Sequence, residues 1–294
     1  MHNFIYYYQH LPDYINPTAI SLGFLRIDWY SIMYLVGFLI VYFLLKYRIN
    51  KKENNFFFDT SKLEDLLFYS FFGLILGARL GYVLFYNFSY YLSNPLAIIS
   101  PYDSNTHQFI GIYGMSYHGG LIGVILFSWI FSQKNKINFF ALTNFVIPTI
   151  PAGYFFGRVG NFLNGELYGR AIQKFWGMYF PSDTFGFLRH PSQLYEAFLE
   201  GIVLFLILWF FRNKKELENK FIGLYFVGYA FFRIVVEFFR EPDEQVGYIF
   251  GFLTLGQILS FAMLSIGIIL IFLGQKLKKC YNGDNGKIQE TKIN

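Results

Sequence analysis

Charge is scarce in this chain: Asp, Glu, Lys and Arg make up only 15% of its 294 residues, against 54% hydrophobic and 23% aromatic. Soluble domains carry about 25% charged residues, so an ordinary water-soluble domain is excluded and an integral membrane protein is expected. Cysteine is scarcer still. The single Cys280 leaves no internal disulfide to form; it falls in a segment expected to be cytoplasmic, where thiols stay reduced, and no catalytic part is expected of it. The five His show no metal-ligand spacing, and neither metal nor other cofactor is expected. No G-x-S-x-G elbow or paired intramembrane Asp is present, which argues against an intramembrane protease. The start, "MHNFIYYYQHLPDYINP", has no basic stretch ahead of an apolar one and no small-residue cleavage site after it, so no secretory signal is expected.

What the chain has instead is long apolar runs. Windows near the roughly 20 residues needed to cross about 30 Å of hydrocarbon recur at about 23–45, 63–86, 117–132, 139–156, 193–211, 221–239 and 249–274. The expectation is an all-α integral membrane protein, a bundle of about seven transmembrane helices in one polytopic domain covering 1–294. Alternate loops are basic: "KYRINKK", "QKNKIN", "RNKKELENK" and "QKLKK". Lys and Arg accumulate on the cytoplasmic side, which puts the N-terminus outside, the segments 87–116 and 157–192 outside, and the polar tail 276–294 inside. The net charge of +5 is this cytoplasmic bias and gives no reason to expect nucleic-acid binding.

This topology sets the depth of the polar groups. Tyr30, Arg79, His118, Arg158, Gln193, Tyr195, Glu196, Arg233, Glu237 and Arg240 all fall in the outer halves of their spans. An ionisable group at a helix centre costs roughly 2.5–3.5 kcal/mol on insertion scales, so these groups are expected to face one another or a watery cavity open outward. Each has a duller reading. Arg79 sits among Gly73, Gly77 and Gly81, a spacing that brings helices close, and is open to a purely structural ion pair. Tyr30 fits an aromatic belt equally well. Tyr229, Arg233, Glu237 and Arg240 share one helix face, which suits an internal salt bridge or a ligand site. His118, in "YHGGLIG", reads as an interfacial His or a functional one.

The stretch "GRVGNFLNGELYGR", Gly157 to Arg170, directly follows the apolar "FFALTNFVIPTIPAGYFF". It resembles the signature G-R-x-G-N-F-x-N-x-E-x-x-G of the bacterial prolipoprotein diacylglyceryl transferases and matches every fixed position. The blocks "WYSIMYLVGF", "GARLGYVLFYNF", "YHGGLIGV", "RHPSQLYEAFLEG", "GYAFFRIVVEFFREPD" and "LTLGQILS" resemble the same family in the same order. The resemblance implies transfer of the diacylglyceryl group of phosphatidylglycerol to the lipobox cysteine of a preprolipoprotein, with a thioether formed and glycerol 1-phosphate released. It implies a bacterial plasma-membrane enzyme, multi-pass, with its active site near the extracytoplasmic face. It further implies that Arg158 and Arg233 hold the phosphate, that His118 is a base for the thiol, and that Tyr30 belongs with them as a catalytic residue. Asn161, Glu166, Glu237 and Tyr229 are the expected further contacts to phosphatidylglycerol. The alternative is a polytopic lipid transporter or lipid-binding protein without transferase chemistry. Few ionisable groups in the inner halves of the spans, and no inverted repeat, argue against it.

Two features depart from the resemblance. Asn144 stands where relatives generally carry Asp, which removes an acid role there and leaves a hydrogen-bonding one. The stretch from Arg170 to Arg189 is compact, with little room for a large external head domain.

Orientation is testable directly. With Cys280→Ser as background, a cysteine at Asn105 is expected to react with an impermeant thiol reagent on intact cells, and cysteines at Asn135 and Lys215 only after permeabilisation. Labelling of Lys215→Cys on intact cells would reverse the orientation.

Overall fold

The structure, a computed structural model, describes residues 2–23, 25–53, 58–100, 114–241, 248–249 and 253–290, with side chains as far as Gly274. Of the expected outer segment 87–116, residues 101–113 lie outside these, as do the Cys280 side chain and residues 291–294 of the expected tail. The described helices are α1 (His2–Gln9), α2 (Trp29–Asn50), α3 (Thr60–Phe85), α4 (Phe88–Ser93), α5 (Tyr117–Lys134), α6 (Phe139–Val146), α7 (Ile150–Leu163), α8 (Ser192–Glu196), α9 (Leu204–Phe211), α10 (Phe221–Glu237) and α11 (Leu255–Glu290). Two antiparallel hairpins accompany them, β1 (Thr18–Leu22) with β2 (Leu25–Asp28) and β3 (Tyr248–Ile249) with β4 (Leu253–Thr254). The chain divides into two compact units, Met1–Glu53 with Thr143–Asn294, and Asn54–Leu142.

Five described helices are long and apolar enough to cross a membrane: Trp29–Asn50, Thr60–Phe85, Phe139–Leu163, Ser192–Phe211 and Leu255–Gly274. The expected spans at 117–132 and 221–239 are helical but are not among these five. Helix α10 has 17 residues, about 25 Å at 1.5 Å per residue, and α5 opens and closes on polar residues, "YHGG" and "SQK". Two expected boundaries also move, and a further span is irregular within. Residues 18–28, assigned partly to the first span, form the β1–β2 hairpin, which turns at Gly23 with φ +60°. The fourth span does not stop at 156 but runs to Leu163, so the first half of the glycine-rich signature is helical. It is broken by a 3-10 turn at Ile147–Thr149, where Pro148 and Pro151 each remove a backbone donor. The fifth contains a π-helical stretch, Ala197–Val203, which no periodicity in the sequence announces.

In the second unit, α3 and α5 pack backbone to backbone. A Cβ on Gly77 would lie 2.8 Å from the Gly123 Cα, and one on Gly81 2.7 Å from the Gly119 Cα. Arg79, between these glycines, donates to the carbonyls of Ala97 (2.7 Å), Ile98 (2.7 Å) and Gly114 (3.2 Å) and lies over the Tyr91 ring. These bonds tie down connecting backbone through carbonyl oxygens, where the sequence had suggested an ion pair with a carboxylate.

In the first unit, Gly37 of α2 meets Gly153 of α7, and Gly223 of α10 meets Gly267 of α11, in the same manner. One end of this unit is locked by Arg48, whose Nε is 3.0 Å from Glu53 Oε2, while Arg212 Nη2 is 2.9 Å from Glu53 Oε1. Burial raises the Glu53 carboxyl, but hydrogen bonds and charge from Arg212 and Arg48 outweigh it and hold the group below its ordinary value. Asn144 lies at this end too: its Nδ2 donates to Asn219 Oδ1 (3.1 Å) and its Oδ1 accepts from the Phe221 amide (3.4 Å).

Overfilling a packed contact costs about 1–3 kcal/mol, so Gly77→Val is expected to lower the melting temperature in detergent well below that of Leu80→Val, whose side chain is exposed. Equal melting temperatures would refute the α3–α5 contact.

Candidate active site

Three helical segments of the first unit contribute one polar face each. Tyr154, Arg158 and Asn161 follow at i, i+4 and i+7 along α7; Glu196 and Glu200 at i and i+4 along the helix from Ser192; Tyr229, Arg233 and Glu237 at i, i+4 and i+8 along α10. Such spacings align side chains on one face. In an otherwise apolar bundle these faces turn toward one another, because lipid offers a charge no partner.

Their centre is Glu196, whose side chain is 0% exposed. Arg158 Nε lies 2.8 Å from Glu196 Oε2, Arg233 Nη1 3.0 Å from the same oxygen and Arg240 Nη1 3.2 Å from Oε1. Three arginines thus converge on one carboxylate. The Arg233–Glu196 contact is an ion pair by distance without hydrogen-bond alignment, since Arg233 Nη1 makes no hydrogen bond. Arg233 Nε is also 3.3 Å from Glu237 Oε2, and Thr254 Oγ1 donates to Glu237 Oε1 at 2.9 Å. The internal Arg233–Glu237 salt bridge therefore exists, as one strand of a wider net.

Arg158 is held from two further directions. Its Nε donates to the Tyr154 hydroxyl at 2.7 Å and its Nη1 to Asn161 Oδ1 at 3.1 Å. Asn161 Nδ2 in turn donates to Glu166 Oε1 at 2.8 Å. Glu166 sits between two residues with left-handed backbone, Gly165 at φ +68° and Leu167 at φ +60°; for Leu this costs about 1–2 kcal/mol. Tertiary contacts hold the turn: Gln193 Nε2 donates to the Glu166 carbonyl (2.6 Å) and Ser192 Oγ to that of Leu167 (3.0 Å). Strain kept in place by its surroundings is common at functional sites. Farther along, Arg170 Nε donates to the Arg240 carbonyl at 2.8 Å, so the residue just after the signature ties down the backbone that follows α10. The compact segment after it is closed by the Arg189–Asp183 pair, 2.8 Å apart. Hydrogen bonds from Arg189, against the pull of burial, hold the Asp183 carboxyl below its ordinary value.

Arg158, Asn161, Glu166, Tyr229, Arg233 and Glu237, all expected from the sequence, are brought together in this net or against it; the Tyr229 hydroxyl is 3.4 Å from that of Tyr154. Tyr30 packs its backbone on Gly160, donates to the Tyr34 hydroxyl at 3.0 Å and lies within electrostatic reach of Arg158 and Glu166. His118 belongs to the other unit, exposed in the first turn of α5, which Ser116 caps through the Gly119 amide. Glu196 was legible as one of the polar groups expected to face one another, without a role of its own, while Tyr154 and Glu200 were not expected. An i, i+4 carboxylate pair inside an apolar span is the pattern that reveals Glu196 and Glu200. Among the described residues, no group of His, Cys, Asp and Glu is arranged to hold a metal ion.

Chemically, the arrangement is an arginine cluster backed by carboxylates. Arg158 spends Nε and Nη1 on hydrogen bonds and Arg233 spends Nε and Nη1 on ion pairs; among the described residues, no hydrogen bond is seen at Nη2 of either. Fixed guanidinium forks with a donor to spare suit an anionic oxyacid group.

Comparison with known proteins points the same way. The family profile described as prolipoprotein diacylglyceryl transferase matches residues 17–273. A phosphatidylglycerol–prolipoprotein diacylglyceryl transferase of Chlorobaculum tepidum is 46% identical over 279 residues, 94% of this chain and 96% of the relative. Proteins of the same name from Nitratidesulfovibrio vulgaris (45% over 258 residues, 87% and 94%) and Bordetella avium (46% over 258 residues, 88% and 94%) are similar to it as well. On the profile and on these identities over nearly full length, the chain belongs to the prolipoprotein diacylglyceryl transferase family.

Proposed function

We propose that this chain transfers the diacylglyceryl group of phosphatidylglycerol to the lipobox cysteine of preprolipoproteins, forming a thioether and releasing glycerol 1-phosphate. The observation that carries the reading is the convergence of Arg158, Arg233 and Arg240 on Glu196, in a chain that matches the transferase family from 17 to 273. The protein is a multi-pass one of the bacterial plasma membrane, with seven spans in a single polytopic domain, N-terminus outside and C-terminus inside. Its site opens near the extracytoplasmic face, because Arg158, Glu166, Glu196 and Glu237 all lie at the helix ends that this orientation turns outward.

In the reaction the substrate sulfur attacks the glycerol carbon that carries the phosphate. A carbon–sulfur bond forms, the carbon–oxygen bond breaks, and its electron pair stays on the phosphate oxygen. Arg158 and Arg233 bind the phosphate and stabilise the charge that builds on it as it leaves. Asn161 and Glu166 fix Arg158, and Glu237 does the same for Arg233; Tyr229, beside Tyr154, lines the lipid site with them. A thiol with a pKa near 8.5 is only a few per cent ionised at pH 7, a cost of roughly 2 kcal/mol, and His118 takes its proton. Tyr30, at the head of α2, orients the reacting groups beside Arg158.

The test is single-turnover thioether formation, weighed on a lipobox peptide, measured apart from phosphatidylglycerol binding. Arg158→Lys keeps the charge but loses the fork; it is expected to fold and to lose most transfer, and Arg158→Ala essentially all. An Arg158→Ala protein that binds the lipid and forms product at the normal rate would end the phosphate-ligand role.

A base is expected to contribute about 100-fold or more, so His118→Gln is expected to slow transfer by that factor with lipid binding little changed. Normal transfer by this variant would leave His118 a packing residue.

A further inference from the structure

A guanidinium on a four-torsion side chain is useful as a phosphate clamp only if its plane and its free edge are fixed. Arg158 receives both constraints from Tyr154, one turn earlier on α7. The Tyr154 ring lies under the guanidinium, its centroid 4.8 Å from Cζ, and its hydroxyl accepts from Nε at 2.7 Å. A tyrosine hydroxyl has one hydrogen and two lone pairs. Its hydrogen goes to Glu200 Oε2, with Glu196 Oε2 more distant at 3.3 Å; the Tyr229 hydroxyl, at 3.4 Å, stands on its other side. Tyr154 is therefore itself anchored.

Glu200 completes the chain of contacts. Its side chain is 0% exposed, it lies 3.9 Å from Arg233 Nη1, and its Oε1 makes no hydrogen bond. It is carried by the π-helical stretch Ala197–Val203, a geometry that is rare and concentrated at functional sites. The backbone there is pressed on α7: a Cβ on Gly201 would lie 2.8 Å from the Phe155 Cβ. A carboxylate is thus delivered to the hydroxyl of Tyr154 at a fixed depth, although Arg158, Arg233 and Arg240 already have Glu196.

We infer that Tyr154, held by Glu200, is a positioning residue of the transfer reaction, setting the plane and edge of the Arg158 guanidinium for the phosphate of the lipid. This rests on the function proposed above. The pair touches no reacting atom; it acts through Arg158. The ring alone keeps Arg158 stacked, and the hydroxyl orients the fork about that stack. Its loss falls on the transition state, where alignment counts most, more than on ground-state binding.

The experiment uses the full chain in phosphatidylglycerol-containing micelles with a lipobox peptide as acceptor. Tyr154→Phe is expected to keep its melting temperature within about 2 °C, to lower kcat about tenfold and to change KM for the lipid less than about twofold. In an Arg158→Lys background the same substitution is expected to lower kcat less than about twofold, because residues acting as one unit are not additive. If Tyr154→Phe does not fold, Glu200→Gln serves: the amide keeps the volume and an oxygen for the Tyr154 hydroxyl but is a weaker acceptor. It is expected to lower kcat about threefold, a loss that vanishes in the Arg158→Lys background. Normal kcat in the variant that folds, or a loss that multiplies with Arg158→Lys, would overturn the inference. Failure of the unaltered chain to make thioether would instead overturn the proposed function, before Tyr154 is reached.

Discussion

Everything at the Arg158–Arg233 end of the first unit depends on one carboxylate. Removing an ion from water costs several kcal/mol even after relaxation, and Glu196 is fully buried; it can remain charged only because Arg158, Arg233 and Arg240 surround it. The reverse holds too. Without Glu196, three cations on α7, on α10 and just beyond α10 would repel one another at close range, and the helices would lose their reason to meet. Position and charge are therefore set together: the carboxylate that stabilises the cluster is also what spaces its arginines.

That arrangement needs helices that approach closely and do not slide. Glycine pairs supply the approach, Gly37 against Gly153 and Gly223 against Gly267. Association in lipid has no hydrophobic drive between helices, so close packing carries it. The strained turn at Gly165 and Leu167 supplies a different kind of constraint. It swings the chain back so that Glu166 reaches Asn161, and the Ser192 and Gln193 bonds that hold it come from the segment that carries Glu196. The signature stretch and the buried carboxylate thus share one support. A change in either shifts both.

How much of this was legible follows from the kind of signal each residue leaves. Charge inside an apolar run is conspicuous in a sequence because the bilayer penalises it, and on that ground Arg158, Arg233 and Glu237 were readable beside their helix-face spacing. The resemblance added Asn161, Glu166 and Tyr30, whose types alone are common in loops and belts. Tyr154 was illegible among 24 tyrosines, since only the hydroxyl's partners distinguish it. Glu200 left a trace only as the second carboxylate of an i, i+4 pair in an apolar run; its π-helical setting left none. Boundaries shifted for a related cause. Hydropathy locates where lipid is tolerated, and a hairpin such as β1–β2 is apolar enough to be counted into a span, while the helical turns at 157–163 are too polar to be counted in.

Asn144 shows the same economy at the other end of the unit. Its amide both donates, to Asn219 Oδ1, and accepts, from the Phe221 amide, and so closes the turn into α10 from two sides. Asn219 holds a left-handed backbone, φ +62°, a conformation Asn tolerates better than most residues. A carboxylate at 144 can accept from Phe221 but has no hydrogen to give Asn219 Oδ1 when ionised. It would also bring a negative charge to the residue whose carbonyl accepts from Arg48, a guanidinium already paired with Glu53. The amide at 144 therefore belongs with the amide at 219: each is usable where it stands because the other is its partner. The start of α10, and with it the axial position of Tyr229, Arg233 and Glu237 along that helix, is fixed by an uncharged contact that leaves the arginine–carboxylate balance at the opposite end untouched.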